Sequence, residues 1–133
     1  MTPEKSSDRV LIVEDDKDIL ELLNNLLTME GYEISGAANG EQALQYLRSA
    51  PDLPHLILLD LLMPIKDGTQ LKVELNTDRT LSEIPVVFMS ADSNVETKLK
   101  QSVGTKNLVF LKKPLDIEDV LTTVKKYCRP HYH

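Results

Sequence analysis

The chain has no tryptophan and a single cysteine, Cys128, so it forms no internal disulfide and suits a reducing compartment. Basic residues are outnumbered, which makes nucleic acid a poor partner for this chain alone: 15 Lys and Arg face 21 Asp and Glu, a net charge of −6. No apolar stretch approaches the roughly 18 residues that span a bilayer, and the segment through Arg9 is polar, without the core of a signal peptide. Repeats and low-complexity segments are absent. No Ser/His/Asp constellation and no Cys/His metal spacing can be assembled. His131 and His133 read as a tail, and His55 as a loop residue. The expected location is the cytoplasm, with no membrane association and no direct nucleic-acid contact.

What the chain has is four apolar runs, each ending in a polar residue. Val10-Leu11-Ile12-Val13 leads into Glu14-Asp15-Asp16, and Leu56-Ile57-Leu58-Leu59 into Asp60. Val86-Val87-Phe88-Met89 leads into Ser90, and Leu108-Val109-Phe110-Leu111 into Lys112-Lys113-Pro114. Continuous apolar runs alternating with helical patterns predict buried parallel strands. The helical pattern is clearest after Asp16 (Ile19, Leu20, Leu23, Leu26, Leu27, ended by Gly31) and after Asp116 (Ile117, Val120, Leu121, Val124). A weaker strand is expected over Tyr32 to Ala38 and a helix over Glu41 to Ser49. Asp67-Gly68 predicts a tight turn, a third helix starts near Thr69, and Asp92 or Asn94 caps a short, poorly amphipathic fourth helix. Five βα units with right-handed crossovers make an α/β, doubly wound three-layer sandwich with strand order 2-1-3-4-5. Length suits one domain, expected over residues 9–127, with residues 1–8 a disordered N-terminal extension and 128–133 a C-terminal tail.

All strand C-termini of such a sheet lie along one edge, where ligands bind. That edge gathers carboxylates, which hold a hard cation, and an ammonium and a hydroxyl, which hold an anion. The pattern predicts an Mg²⁺-plus-phosphoryl site. Asp16 and Asp18 are explained by helix capping and the helix dipole. Glu14 and Asp15 are not, because adjacent like charges at a strand end repel unless a cation intervenes. Asp60 follows four apolar residues and precedes Leu61-Leu62-Met63-Pro64, which is no helix start. A buried carboxylate there is costly without a chemical reason, and beside Mg²⁺ it can attack phosphorus. Ser90 also fits a simple strand-end cap, and both lysines fit solvated charges. Strand alternation sends Lys112 and Lys113 to opposite faces. A cis bond before Pro114 would aim Lys113 toward the site.

Taken together, these segments resemble the receiver domain of two-component response regulators, a flavodoxin-like fold of the single-domain, chemotaxis-regulator type, from Arg9 to Tyr127. The resemblance implies that Asp60 is the phosphoacceptor, with Asp15, Asp60 and the backbone carbonyl of Leu62 as Mg²⁺ ligands and Glu14 completing the acidic pair. It implies that Ser90 and Lys113 hold the phosphoryl group, and that Ser90 and Phe110 form the switch. The implied activity is transfer of a phosphoryl group from a sensor histidine kinase or a histidine phosphotransfer protein. The chain would catalyse its own phosphorylation and dephosphorylation without being a conventional enzyme. A downstream protein would be met through the α4-β5-α5 face. One departure stands out: Gly104 lies farther ahead of Lys113 than the family commonly has it, with the extra residues around Thr105-Lys106-Asn107. A haloacid-dehalogenase-type phosphatase would need a second Asp where Leu62 stands. A flavodoxin-like flavin carrier would need a phosphate-cradling first loop, not Glu14-Asp15-Asp16.

Overall fold

The computed structural model describes residues 8–129. Residues 1–7, most of the expected extension, and residues 130–133, with the His131/His133 pair, lie outside the described residues. Five strands, β1 (Arg9–Val13), β2 (Glu33–Ala37), β3 (Leu56–Asp60), β4 (Val86–Ser90) and β5 (Val109–Lys112), form one parallel sheet in the order β2-β1-β3-β4-β5. Between and after them run α1 (Lys17–Met29), α2 (Gly40–Ser49), α3 (Gly68–Asn76), α4 (Ser93–Val103) and α5 (Ile117–Tyr127). A 3₁₀ turn at Leu81–Glu83 precedes β4.

Burial explains why the strand runs are continuous rather than alternating. Every residue of β3 is buried, because helices cover both faces of the sheet. On one face Val10, Ile12, Leu56, Leu58, Val87, Met89 and Leu111 pack against Leu23 and Leu27 of α1 and Val120 and Val124 of α5. On the other, Leu11, Val13, Ile57, Leu59 and Phe88 pack against Leu44 and Leu47 of α2, Leu71 and Leu75 of α3, and Leu99 of α4. β2 is one of the two edge strands and only its last residue is buried, which accounts for its weaker sequence signal.

Capping sets the helix starts. Asp16, Asn39, Asp92 and Asp116 each accept a backbone N–H from the first turn of the helix that follows. Asp67-Gly68 differs from the expected tight turn. Asp67 is the N-cap of α3 and forms a capping box with Gln70: each side chain accepts the other's backbone N–H at 2.9 Å. Gly68 is the first helical residue, packed so closely on the end of β3 that a Cβ would lie 2.5 Å from the Asp60 carbonyl oxygen. Asp8 and Arg129 exchange two hydrogen bonds: Asp8 N donates to Arg129 O at 3.2 Å, and Arg129 N to Asp8 Oδ2 at 2.7 Å. Cys128 is buried against the α1/α5 face.

Candidate functional site

The parallel sheet delivers the polar residues at its strand ends to one cleft of about 280 Å³, lined by Glu14, Asp15, Asp60, Leu62, Ser90 and Lys113, with Asp92 and Val95 at its side. Each arrives by a different local device. Glu14 follows β1 and is held by its N–H to Ala37 O at 3.0 Å, which buries its side chain while the next residue, Asp15, stays exposed. Asp60 is the last residue of β3 and is only 3% exposed. Its Oδ1 accepts the Leu62 N–H at 3.2 Å, so the loop turns tightly around the carboxylate. Leu62 itself is 69% exposed at the mouth of the cleft.

Lys113 directly follows β5, and its bond to Pro114 is cis. Its Nζ donates to Glu14 Oε2 at 2.9 Å and Oε1 at 3.1 Å, and lies 3.2 Å from Asp60 Oδ2. Lys112 points away, 77% exposed and 3.7 Å from Glu96 on α4. Strand alternation thus separates the two lysines as the sequence implies.

The electrostatics of the cluster are unbalanced. One carboxylate oxygen each from Glu14, Asp15 and Asp60 lie within 4.8 Å of one another. Burial pushes the Glu14 carboxyl up to about 7, with repulsion from Asp60 adding to it and the Lys113 hydrogen bond opposing it. Burial also raises Asp60, against the opposing charge of Lys113. For Lys113, burial works to lower the pKa, but hydrogen bonding to Glu14 and the charges of Asp60 and Glu14 prevail and raise it. Three carboxylates against one ammonium leave an anionic, partly buried cleft whose charge a divalent cation would balance. The donors are all oxygens, which suits a hard cation.

Ser90 is buried at the end of β4. Its hydroxyl donates to Asp92 O at 3.0 Å and accepts the Asp92 N–H at 3.1 Å, a local turn of the kind a strand-end serine makes. Asp92 spends its own side chain on Asn94 N at 2.8 Å, capping α4. Phe110, half-buried on β5, has its ring 5.7 Å from that of Phe88, while Lys100 Nζ of α4 sits 5.6 Å from the Phe110 ring centre. Sequence reasoning missed Lys66. Its ammonium pairs with Glu74 of α3 and lies 3.7 Å from Glu41 of α2, tying the loop after Asp60 to both helices. Pairs so distant in sequence leave no periodic or spacing signal. The capping box at Asp67-x-x-Gln70 did leave one.

Known proteins resemble this chain along most of its length. The family described as response regulator receiver domain matches residues 10–125. Sporulation initiation phosphotransferase F of Bacillus subtilis (strain 168) is 34% identical over 122 residues, covering 91% of this chain and 94% of that protein. DNA-binding dual master transcriptional regulator RpaA of a Synechocystis strain is 34% identical over 123 residues, covering 91% of this chain and 49% of that protein. The chain thus spans about half the length of several curated relatives it matches. A crystal structure of a putative response regulator from Chloroflexus aurantiacus J-10-fl superposes with a TM-score of 0.78 at 29% identity, over 91% of this chain and 97% of that one.

Proposed function

The chain belongs to the response regulator receiver domain family, and on that premise we propose that it accepts a phosphoryl group on Asp60 and uses it to switch a protein–protein interaction. Receivers are phosphorylated on an aspartate by histidine kinases. The observation that carries it is the buried Asp60 carboxylate at the C-terminal end of the central strand, 3.2 Å from the Lys113 ammonium and beside a second buried acid, Glu14.

In this reading an Asp60 oxygen attacks the phosphorus of a phosphohistidine on a sensor kinase or histidine phosphotransfer protein. The P–O bond forms as the P–N bond breaks, and the electron pair leaves with the imidazole nitrogen. Lys113 stays beside Asp60 and pairs with the transferred oxygens. Asp15, Asp60 and the Leu62 carbonyl would hold Mg²⁺, with Glu14 as a further buried charge. Bound there, Mg²⁺ supplies neutralisation of the phosphoryl oxygens against the attacking carboxylate. Ser90 gives up its hydrogen bond to Asp92 O in favour of a phosphoryl oxygen, and Phe110 repacks against the space this opens. The α4-β5-α5 face changes as a result, shifting a two-state equilibrium toward the partner-binding form. Hydrolysis by water resets it, so the chain catalyses its own phosphorylation and dephosphorylation without being a conventional enzyme.

Among the described residues no helix is long and apolar enough to cross a membrane. We place the protein in the cytoplasm, with protein partners and no direct nucleic-acid contact. The test is labelling by acetyl phosphate. Asp60→Asn, nearly isosteric and a poor nucleophile, should fold and fail to label; undiminished labelling of that variant would refute the assignment.

A further inference from the structure

Ile65, in the loop between β3 and α3, stands in a conformation its side chain disfavours. Its φ is 58°, in the left-handed region where a β-branched residue is a steric outlier. Asn107 is the other left-handed non-glycine residue among the described ones, and asparagine tolerates that region. Ile65 gains little from burial in exchange, because it is 72% exposed. An asparagine at position 65 would carry less strain and has little packing to lose.

The loop leaves the backbone no other course. Asp60 Oδ1 holds the Leu62 N–H at 3.2 Å, and Leu61 O holds the Gly68 N–H at 3.2 Å. Met63 is buried in the core. Directly after Ile65, Lys66 O accepts the Gly40 N–H at 2.9 Å, and the Lys66 ammonium pairs with Glu74. Backbone strain persists where the surroundings over-determine it, and such positions cluster at functional sites. The loop is therefore a fixed platform that begins at Asp60 and shows two aliphatic side chains to solvent, Leu62 and Ile65. Leu62 lines the cleft and Ile65 does not. A donor small enough to enter the cleft has no need of Ile65. A protein that lies across the mouth to bring a phosphohistidine to Asp60 meets the loop on which Ile65 stands. A side chain already held in place costs no loop ordering when it is met.

We propose that Ile65 is a docking and specificity residue for the phosphohistidine protein, packing against an apolar patch beside that partner's histidine. The inference rests on Asp60 as the phosphoacceptor.

The experiment compares two phosphodonors on the whole chain, wild type and Ile65→Asn. One is phosphoramidate, which offers a P–N bond with no protein attached. The other is the radiolabelled histidine kinase that labels wild type fastest in a purified panel. Ile65→Asn should melt at or above the wild-type temperature and should label with phosphoramidate at the wild-type rate. Its transfer from the kinase should fall by roughly five-fold or more, through a raised KM and not a lowered maximal rate. Ile65→Val, which keeps an aliphatic contact, should retain most of the transfer. Undiminished transfer from the kinase to Ile65→Asn would overturn the proposal. So would an equal loss with both donors, which would place Ile65 in the chemistry or the fold and not in docking. Failure of phosphoramidate to label Asp60 of wild type would instead refute the phosphoacceptor assignment itself.

Discussion

Gly68→Ala tests whether the contact between α3 and the end of β3 holds Asp60 in place. A Cβ at position 68 would lie 2.5 Å from the Asp60 carbonyl oxygen and 2.8 Å from the Leu61 Cα. Both obstacles are backbone, so no side-chain rotation relieves them. Either α3 moves off the sheet or the strand end moves, and Asp60 lies on that strand end. Overpacking of this kind costs about 1–3 kcal/mol. Replacing Gly by Ala in a helix returns up to about 1 kcal/mol, less at its first residue. The net destabilisation should be about 1–2 kcal/mol, a fall in Tm of about 4–8 °C for a domain of this size. Gly36→Ala is the matched control. There a Cβ would meet only the tip of Leu20, at 3.2 Å, a side chain able to yield. Urea and thermal denaturation of the two variants, with the rate of labelling by acetyl phosphate, give the comparison. Gly68→Ala should lose both stability and rate, and Gly36→Ala should keep both to within a small margin. If Gly68→Ala matched wild type in both, the close contact would have no part in positioning Asp60.

The other expectations follow from the cleft and the core. Mg²⁺ should raise the Tm of wild type by mass action on the folded state, worth about 1.4 kcal/mol at ten times Kd. Asp15→Asn should lose most of that shift, and equal shifts in the two proteins would argue against the assigned ligands. Ser90→Ala should still label at Asp60, because the hydroxyl is not the nucleophile. Its phosphorylation-induced NMR changes across residues 90 to 125 should shrink, and undiminished changes would mean that the signal bypasses Ser90. Burial pushes the Cys128 thiol up to about 12, with the charge of Asp8 adding to it. It should therefore resist thiol-exchange reagents at pH 8 in the folded protein and react on unfolding; fast labelling of the native state would contradict its packing.

The legible parts of the sequence were those fixed by burial on both sides of a sheet. β1, β3 and β4 read as continuous apolar runs because helices cover both faces, and the alternation of strands with helices implied a parallel, doubly wound sheet. β2, exposed at the edge, carried less signal. The cleft was legible because a parallel sheet collects its strand ends on one side, whatever the distance between Glu14 and Lys113 along the chain. Asp67-Gly68 misled because the pair fits a turn as well as a helix start, and Gln70 was the residue that decided between them. Lys66 with Glu41 and Glu74 depends on how α2, α3 and the loop after Asp60 meet. Such meetings are tertiary and leave no local pattern.

The central claim is that the phosphoryl group is carried by Asp60. Acyl phosphates are reduced by borohydride to the alcohol, so a phosphorylated aspartate becomes homoserine and can be mapped by peptide mass spectrometry. Wild type treated with acetyl phosphate and Mg²⁺ should yield homoserine at position 60, and Lys113→Ala should yield far less. Homoserine at Asp15 or Asp16 in place of Asp60, or no conversion at position 60 under conditions that label the protein, would contradict the account.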